Sequence, residues 1–297
     1  MSNKPRKMTL EKKHNLTGWA FLAPATFLIA VFSFWPMIKA LVLSFQTGKG
    51  RNMQMAGFTN YIRMFQDDVF IQSIKNTFFY FILQVPIMLV VALVLACILN
   101  KKDLRFKGFF RTMIFVPCTT SLVAYSIIFR SLFANNGLVN YVLVNIGILD
   151  KPYNFLTQPF AAKMVILLGL LWRWTGYNMV FYLAGLQNIE YSVYEAAKID
   201  GANGWKTFWK ITVPLLKPTI IMTFIMSING TLQLFDESVN LTKGGPANST
   251  ITMSHYIYNT CFINVPNFGY AAAMSFIIFI MVAVLAFINL KVGDTRD

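Results

Sequence analysis

The 297-residue chain is 56% hydrophobic and only 13% charged, with 28 Phe. A soluble domain carries about 25% charged residues, so a water-soluble fold is excluded and the apolar surface must go into lipid or against other lipid-embedded helices. The formal net charge of +14 would favour nucleic acid in a soluble protein. No stretch interleaves Arg and Lys with aromatics as a nucleic-acid platform does, and the charge is read as membrane topology.

A basic tail occupies residues 1–17, and residues 18–297 read as one transmembrane domain. Six apolar segments follow in order, at about 19–45, 78–99, 109–133, 160–186, 213–235 and 269–290. Each is long enough to cross the hydrocarbon core as a helix, the form that satisfies every backbone group inside lipid. The first segment is too long for a secretory-signal core, lacks a small-residue cleavage site and contains Pro24 and Pro36. It is expected to be a retained span. Pro86 and Pro117 fall inside the second and third segments and are read as ordinary membrane-helix irregularity. Between spans, the outer loops 46–77 and 134–159 are long, and stretches 58–61 and 69–76 have the spacing of short interfacial helices.

Charge orients the chain. Sixteen Lys and Arg lie on the tail, the loops after spans two and four and the C-terminus; eight lie on the opposite side. That asymmetry puts both termini in the cytoplasm, as an even number of spans requires. Cys97, Cys118 and Cys261 have no metal-ligand spacing, and His14 and His255 are isolated. Metal or Cys/His catalysis is therefore unsupported, and the chain is read as a non-enzyme.

The loop at 190–218 carries the strongest signal. Residues 191–199 contain good helix formers, Asp200-Gly201 is a turn signal suited to left-handed geometry, and 205–211 resumes as a second short helix before Pro214 and Pro218. The result is a rigid helix-turn-helix on the cytoplasmic side. Its small residues permit close approach by another protein, and its aromatics can anchor it at the interface.

The string Glu195-Ala196-Ala197, Asp200-Gly201-Ala202, Trp205, Phe208, Ile211-Thr212, Pro214 resembles the EAA motif of binding-protein-dependent ABC importers. The resemblance implies a type I permease fold and a coupling loop seated in a cleft of an ATPase subunit. It makes Glu195 a charged contact, Ala196 and Ala197 a close-packed surface and Gly201 the turn, with Asp200 and Ala202 beside it. ATP-driven closure of the ATPase pair then tips the spans from inward- to outward-facing. Further matches are Leu22-Ala-Pro24, Trp35-Pro36, Phe58-Thr-Asn-Tyr61, Leu241-Thr-Lys-Gly-Gly-Pro246 and Gly269-Tyr-Ala-Ala-Ala273. They resemble the first permease of maltose- and glycerol-3-phosphate-type systems, without the maltose type's extra N-terminal spans and large outer domain.

The family implies a second permease, two ATPase subunits, an extracytoplasmic solute-binding protein, a carbohydrate substrate and a place in the bacterial cytoplasmic membrane. No Gly-x-x-x-x-Gly-Lys-Ser/Thr string occurs, so no cofactor is expected in this chain; ATP and Mg belong to the partner. Polar and aromatic groups within spans four and five are candidates for the solute path: Arg173, Trp174, Tyr177, Asn178, Asn229, Gln233 and Asp236. Sugars want aromatic faces and planar amides or carboxylates. Arg173 either faces the path, favouring an anionic sugar or sugar phosphate, or pairs with Asp236 or Glu237. An ATP-independent secondary transporter would show matching halves with broken helices; no clear repeat is seen, and the loop would then lack a purpose.

Overall fold

The computed structural model describes residues 9–49, 52–101 and 103–293. Tail residues 1–8, and Arg51, Lys102 and Arg296 of the charge count, lie outside the described residues. The first helix, α1 (Leu10–Ser44), runs unbroken through Pro24 and starts nine residues before the expected span. The described side chains from 14 to 39 are exposed. An apolar helix with its backbone bonds satisfied internally suits lipid or a partner on every face.

A small hairpin of β1 (Gln46–Lys49) and β2 (Asn52–Met55) follows, which the sequence reading did not anticipate, and then α2 (Thr59–Met64). Asn60 ties them together, its Nδ2 donating to the carbonyls of Ser44 and Gln46 at 2.9 and 2.8 Å.

Asp67 caps α3 (Asp68–Asn100), accepting the N–H groups of Val69 and Phe70 at 3.0 and 3.2 Å. With that cap and no breaker after it, residues 69–76 are the first turns of the long helix, not a separate interfacial one. At about 1.5 Å per residue, 33 residues outrun a ~30 Å hydrocarbon core, and α3 projects beyond it.

The third expected span, 109–133, is not one helix. It divides into α4 (Lys107–Thr119) and α5 (Leu122–Leu132), bent by 99°. Pro117 removes a helix bond, and Thr120 and Ser121 adopt extended backbone. A short α6 (Leu138–Asn145) precedes α7 (Pro159–Gln187), α8 (Tyr191–Ile199) and α9 (Gly204–Leu215). The last of these bends by 69° into α10 (Lys217–Leu232), which stops three residues short of the expected end. A π-helical turn (Ser238–Thr242), α11 (Met253–Tyr258) and α12 (Phe268–Gly293) complete the chain. Among the described residues, four helices are long and apolar enough to cross a membrane, and six if each bent pair counts once.

The core lies between α3 and α7, where Met88, Ala92 and Ala96 meet Met179, Tyr182 and Leu186, with Leu216 closing one end. Small residues set the helix spacing. A Cβ on Gly176 would stand 1.9 Å from the carbonyl oxygen of Ile114, and one on Gly269 would stand 2.1 Å from that of Gln46. So α4 touches the backbone of α7, and α12 touches the hairpin.

Ahead of the second span, Asp67 Oδ2 accepts the hydroxyls of Tyr256 at 2.6 Å and Tyr270 at 2.8 Å. Burial pushes the Asp67 carboxyl up. Bonds from Tyr256, Tyr270 and the N–H groups of Phe70 and Val69 outweigh it and hold the carboxyl below its ordinary value. A depressed carboxyl contributes stability that is present above its unfolded value of about 3.9 and is lost as pH falls through the folded one. Asp67→Asn is expected to lower the thermal midpoint of the assembled protein by a few degrees at neutral pH and to flatten its fall below about pH 4. Thermal unfolding across pH 3–7 checks this; an unchanged acid fall would contradict it.

Candidate functional site: a cytoplasmic loop joined to a membrane cavity

The loop is built as the sequence suggested. Helix α8 ends in a left-handed Gly201, φ 73°, with Ala202 N–H donating to Ala197 O at 2.9 Å and Gly201 N–H to Lys198 O at 3.2 Å. This paired arrangement satisfies the last carbonyls of the helix. Asn203 then caps α9 through Oδ1, accepting Lys206 N–H at 2.9 Å. Two capped helices share a turn of very few residues, so the loop is stiff.

Glu195, Ala196, Asp200 and Gly201 are exposed, and Ile199 is 85% exposed. Ala197 is 6% exposed and faces inward. The close-packed outer surface inferred for both alanines therefore reduces to Ala196, with Ala202 half-buried beside it. At the base, Phe208, Val213 and Leu216 pack on the α3–α7 core, and a Cβ on Gly185 of α7 would meet Leu216 at 2.7 Å. The loop is thus keyed into the ends of both α7 and α10.

Between α3, α7 and α10 lies a cavity of about 300 Å³. Of the path candidates, Trp174, Tyr177, Asn178, Gln233 and Asp236 line it. Trp174 and Tyr177 stand edge to face, with ring centroids 5.8 Å apart. Asn178 is held by bonds from Nδ2 to Trp174 O at 3.0 Å and Met88 Sδ at 3.5 Å. Asn229 is exposed and accepts from Gln233 Nε2 through its Oδ1, but it does not line the cavity.

Arg173 does not line it either. Its Nη1 donates to Thr120 O at 2.7 Å and its Nη2 to Cys118 O at 3.4 Å. The ring of Trp174 lies 5.4 Å from the guanidinium carbon, and that of Tyr125 lies 5.6 Å away. The guanidinium therefore satisfies the carbonyls freed at the break between α4 and α5. It forms no ion pair with Asp236 or Glu237, so that alternative is set aside as well.

The structure adds Gln84 to the wall, where Glu237, the other carboxyl at the outer end of span five, also lies. Gln84 Oε1 accepts from Thr231 Oγ1 at 3.1 Å, bridging α3 and α10. As a lone amide in the apolar run 78–99 it carried a readable signal, because buried polar groups in lipid are costly.

The exposed loop is rooted in two of the helices that line the cavity. Residues 68–293 match the family described as binding-protein-dependent transport system inner membrane component. This chain belongs to that family. It is a multi-pass membrane component, as the family description and its apolar helices require.

Among its relatives, the lactose transport system permease protein LacF of Rhizobium radiobacter is 52% identical over 292 residues, covering 98% of each chain. The arabinooligosaccharides transport system permease protein AraP of Bacillus subtilis strain 168 is 33% identical, covering 93% of this chain and 88% of that one. The fold superposes with a TM-score of 0.84, at 23% identity over 96% of this chain and 98% of the other, on a bacterial ABC transporter involved in the import of the acidic polysaccharide alginate.

Proposed function

We propose that this chain is one of two permease subunits of an ABC importer that carries an oligosaccharide inward across the cytoplasmic membrane. The observation that carries the reading is the continuity of the loop with α7 and α10, which also line the cavity. A loop with two capped helices moves as a unit, so force on its tip reaches the helix ends. The partner ATPases hold ATP and Mg and supply that force. An extracytoplasmic binding protein delivers the substrate, and a second permease completes the path.

In this reading Glu195, Ala196, Asp200, Gly201 and Ala202 form the contact with the ATPase cleft, and Ala197 packs the loop onto itself. The names of LacF and AraP support a saccharide, and so does the wall chemistry. Trp174 and Tyr177 offer ring faces for sugar C–H surfaces, while Gln84, Asn178 and Gln233 offer amides for hydroxyls.

Reconstitution with the partner permease, the ATPases and the binding protein tests it. ATP-dependent uptake of a labelled oligosaccharide is expected. Tyr177→Ala should reduce that uptake about tenfold or more, as expected for losing an aromatic contact in a buried site. Uptake that ignores ATP would return the chain to the secondary-transporter reading.

A further inference from the structure

We infer that the outer end of the cavity selects substrate by charge, with Asp236 and Glu237 admitting a neutral oligosaccharide and rejecting an acidic one. The inference rests on the carbohydrate reading above and concerns the same cavity.

Three observations converge. First, both carboxylates line the cavity, following directly on the end of α10. Glu237 is 4% exposed, Asp236 is half-buried, and among the described residues no other side chain bonds either one. The bond recorded for the Glu237 carboxylate comes from its own main-chain N–H. A buried carboxylate has acceptor capacity for several donors, and groups of this kind in native proteins are normally satisfied. Sugar hydroxyls are donors of the right kind.

Second, among the described residues no Lys, Arg or His lines this chain's side of the cavity. The lining amides and hydroxyls of Gln84, Asn178, Ser227, Thr231 and Gln233 are neutral.

Third, the nearest candidate counter-charge is turned away. Arg173 is 7% exposed, and its two terminal nitrogens are committed to the Thr120 and Cys118 carbonyls. It lies within electrostatic range of Glu237 but presents no donor to the cavity.

The negative charge that this subunit turns toward a ligand is therefore that of the half-buried Asp236, while burial, with Asp236 adding to it, pushes the Glu237 carboxyl up to about 7. A uronate or phosphate group placed there would meet like charge in a poorly screened site. A neutral hydroxyl pair would instead fill empty acceptor positions. Specificity then comes from repulsion of the wrong ligand as much as from attraction of the right one. The shared fold with an importer of the acidic polysaccharide alginate leaves charge preference to side chains of this kind.

The test uses the assembled permease pair with its ATPases in nanodiscs, without the binding protein, whose own selectivity would mask that of the cavity. The probes are lactose and its uronate counterpart, in which the galactose C6 is oxidised to a carboxylate. Binding is followed by saturation-transfer NMR. The wild type is expected to bind lactose about tenfold or more tightly than the uronate. Asp236→Asn/Glu237→Gln should bring the two within about threefold, chiefly by strengthening the uronate.

Asp236→Asn alone changes a half-buried group and should give an intermediate ratio, which keeps the test open if the double variant does not assemble. Equal binding of both probes by the wild type would overturn the charge inference while leaving the carbohydrate reading intact. So would a ratio unmoved by either variant. Binding of neither probe would overturn the carbohydrate reading itself.

Discussion

Gly201→Asp is expected to abolish ATP-driven uptake, lowering it by about 100-fold or more, while leaving the protein assembled in the membrane. At φ 73°, a side chain costs about 1–2 kcal/mol of backbone strain. That cost falls on the paired bonds closing α8, Ala202 N–H to Ala197 O and Gly201 N–H to Lys198 O. A Cβ at this position meets nothing within 4 Å, so packing inside the chain survives. The damage is local, at the exposed tip that must enter another protein. A further negative charge beside Asp200 and Glu195 also changes the charge that the tip presents to a partner. Glu195→Lys should act in the same direction. Uptake, membrane abundance and substrate-stimulated ATPase activity are measured together. Loss of uptake with normal abundance and unstimulated ATPase supports a coupling role, and wild-type uptake in both variants would remove it.

Gly176→Val is expected to have the largest structural effect. Its Cβ would stand 1.9 Å from the Ile114 carbonyl oxygen and 3.1 Å from the Phe115 Cα, both backbone atoms with no rotamer to yield. Helices α4 and α7 must separate, and Arg173, one turn away on α7, then loses its reach to the Thr120 and Cys118 carbonyls at 2.7 and 3.4 Å. Overpacking alone costs about 1–3 kcal/mol, and stranding a buried guanidinium adds to it. The assembled complex should lose about 5 °C or more of thermal midpoint, or fail to accumulate. Size-exclusion profiles after a heating series would show this. A midpoint matching wild type would mean that the α4–α7 contact does not hold the broken span in place.

The apolar runs made most of the fold legible. Spans two, four and six are continuous stretches whose ends moved by only a few residues, except where the Asp67 cap extended α3 outward. The loop was legible for a different reason. Asp200-Gly201 and the capping Asn203 act on their own neighbours, so local sequence determines the turn.

The break in span three was hidden because its support is remote. Pro117 was visible, but the Thr120 carbonyl freed at the break is bonded by an arginine 53 residues further on. The hairpin at 46–55 was equally hidden, since Asn60 of α2 organises the carbonyls that start it.

In the cavity, the choice of polar and aromatic groups at mid-membrane depth gathered Trp174, Tyr177 and Asn178, which share one wall. It also brought in Arg173, because depth in the membrane cannot tell which side of α7 meets the end of α4. Gln84 was missed because its partner Thr231 lies 147 residues away on α10.

The central claim is that the loop and the cavity form one mechanical unit. It is tested by thiol labelling of Ser227→Cys, a conservative change on the cavity wall, with Cys97, Cys118 and Cys261 replaced by Ser. The assembled importer is exposed to a membrane-impermeant maleimide from the outer side, with and without a non-hydrolysable ATP analogue. Labelling should rise with the nucleotide, and adding Gly201→Asp should cancel the rise. Labelling that is the same with and without nucleotide, or a nucleotide response that survives Gly201→Asp, would contradict the coupling of this loop to the helices that line the cavity.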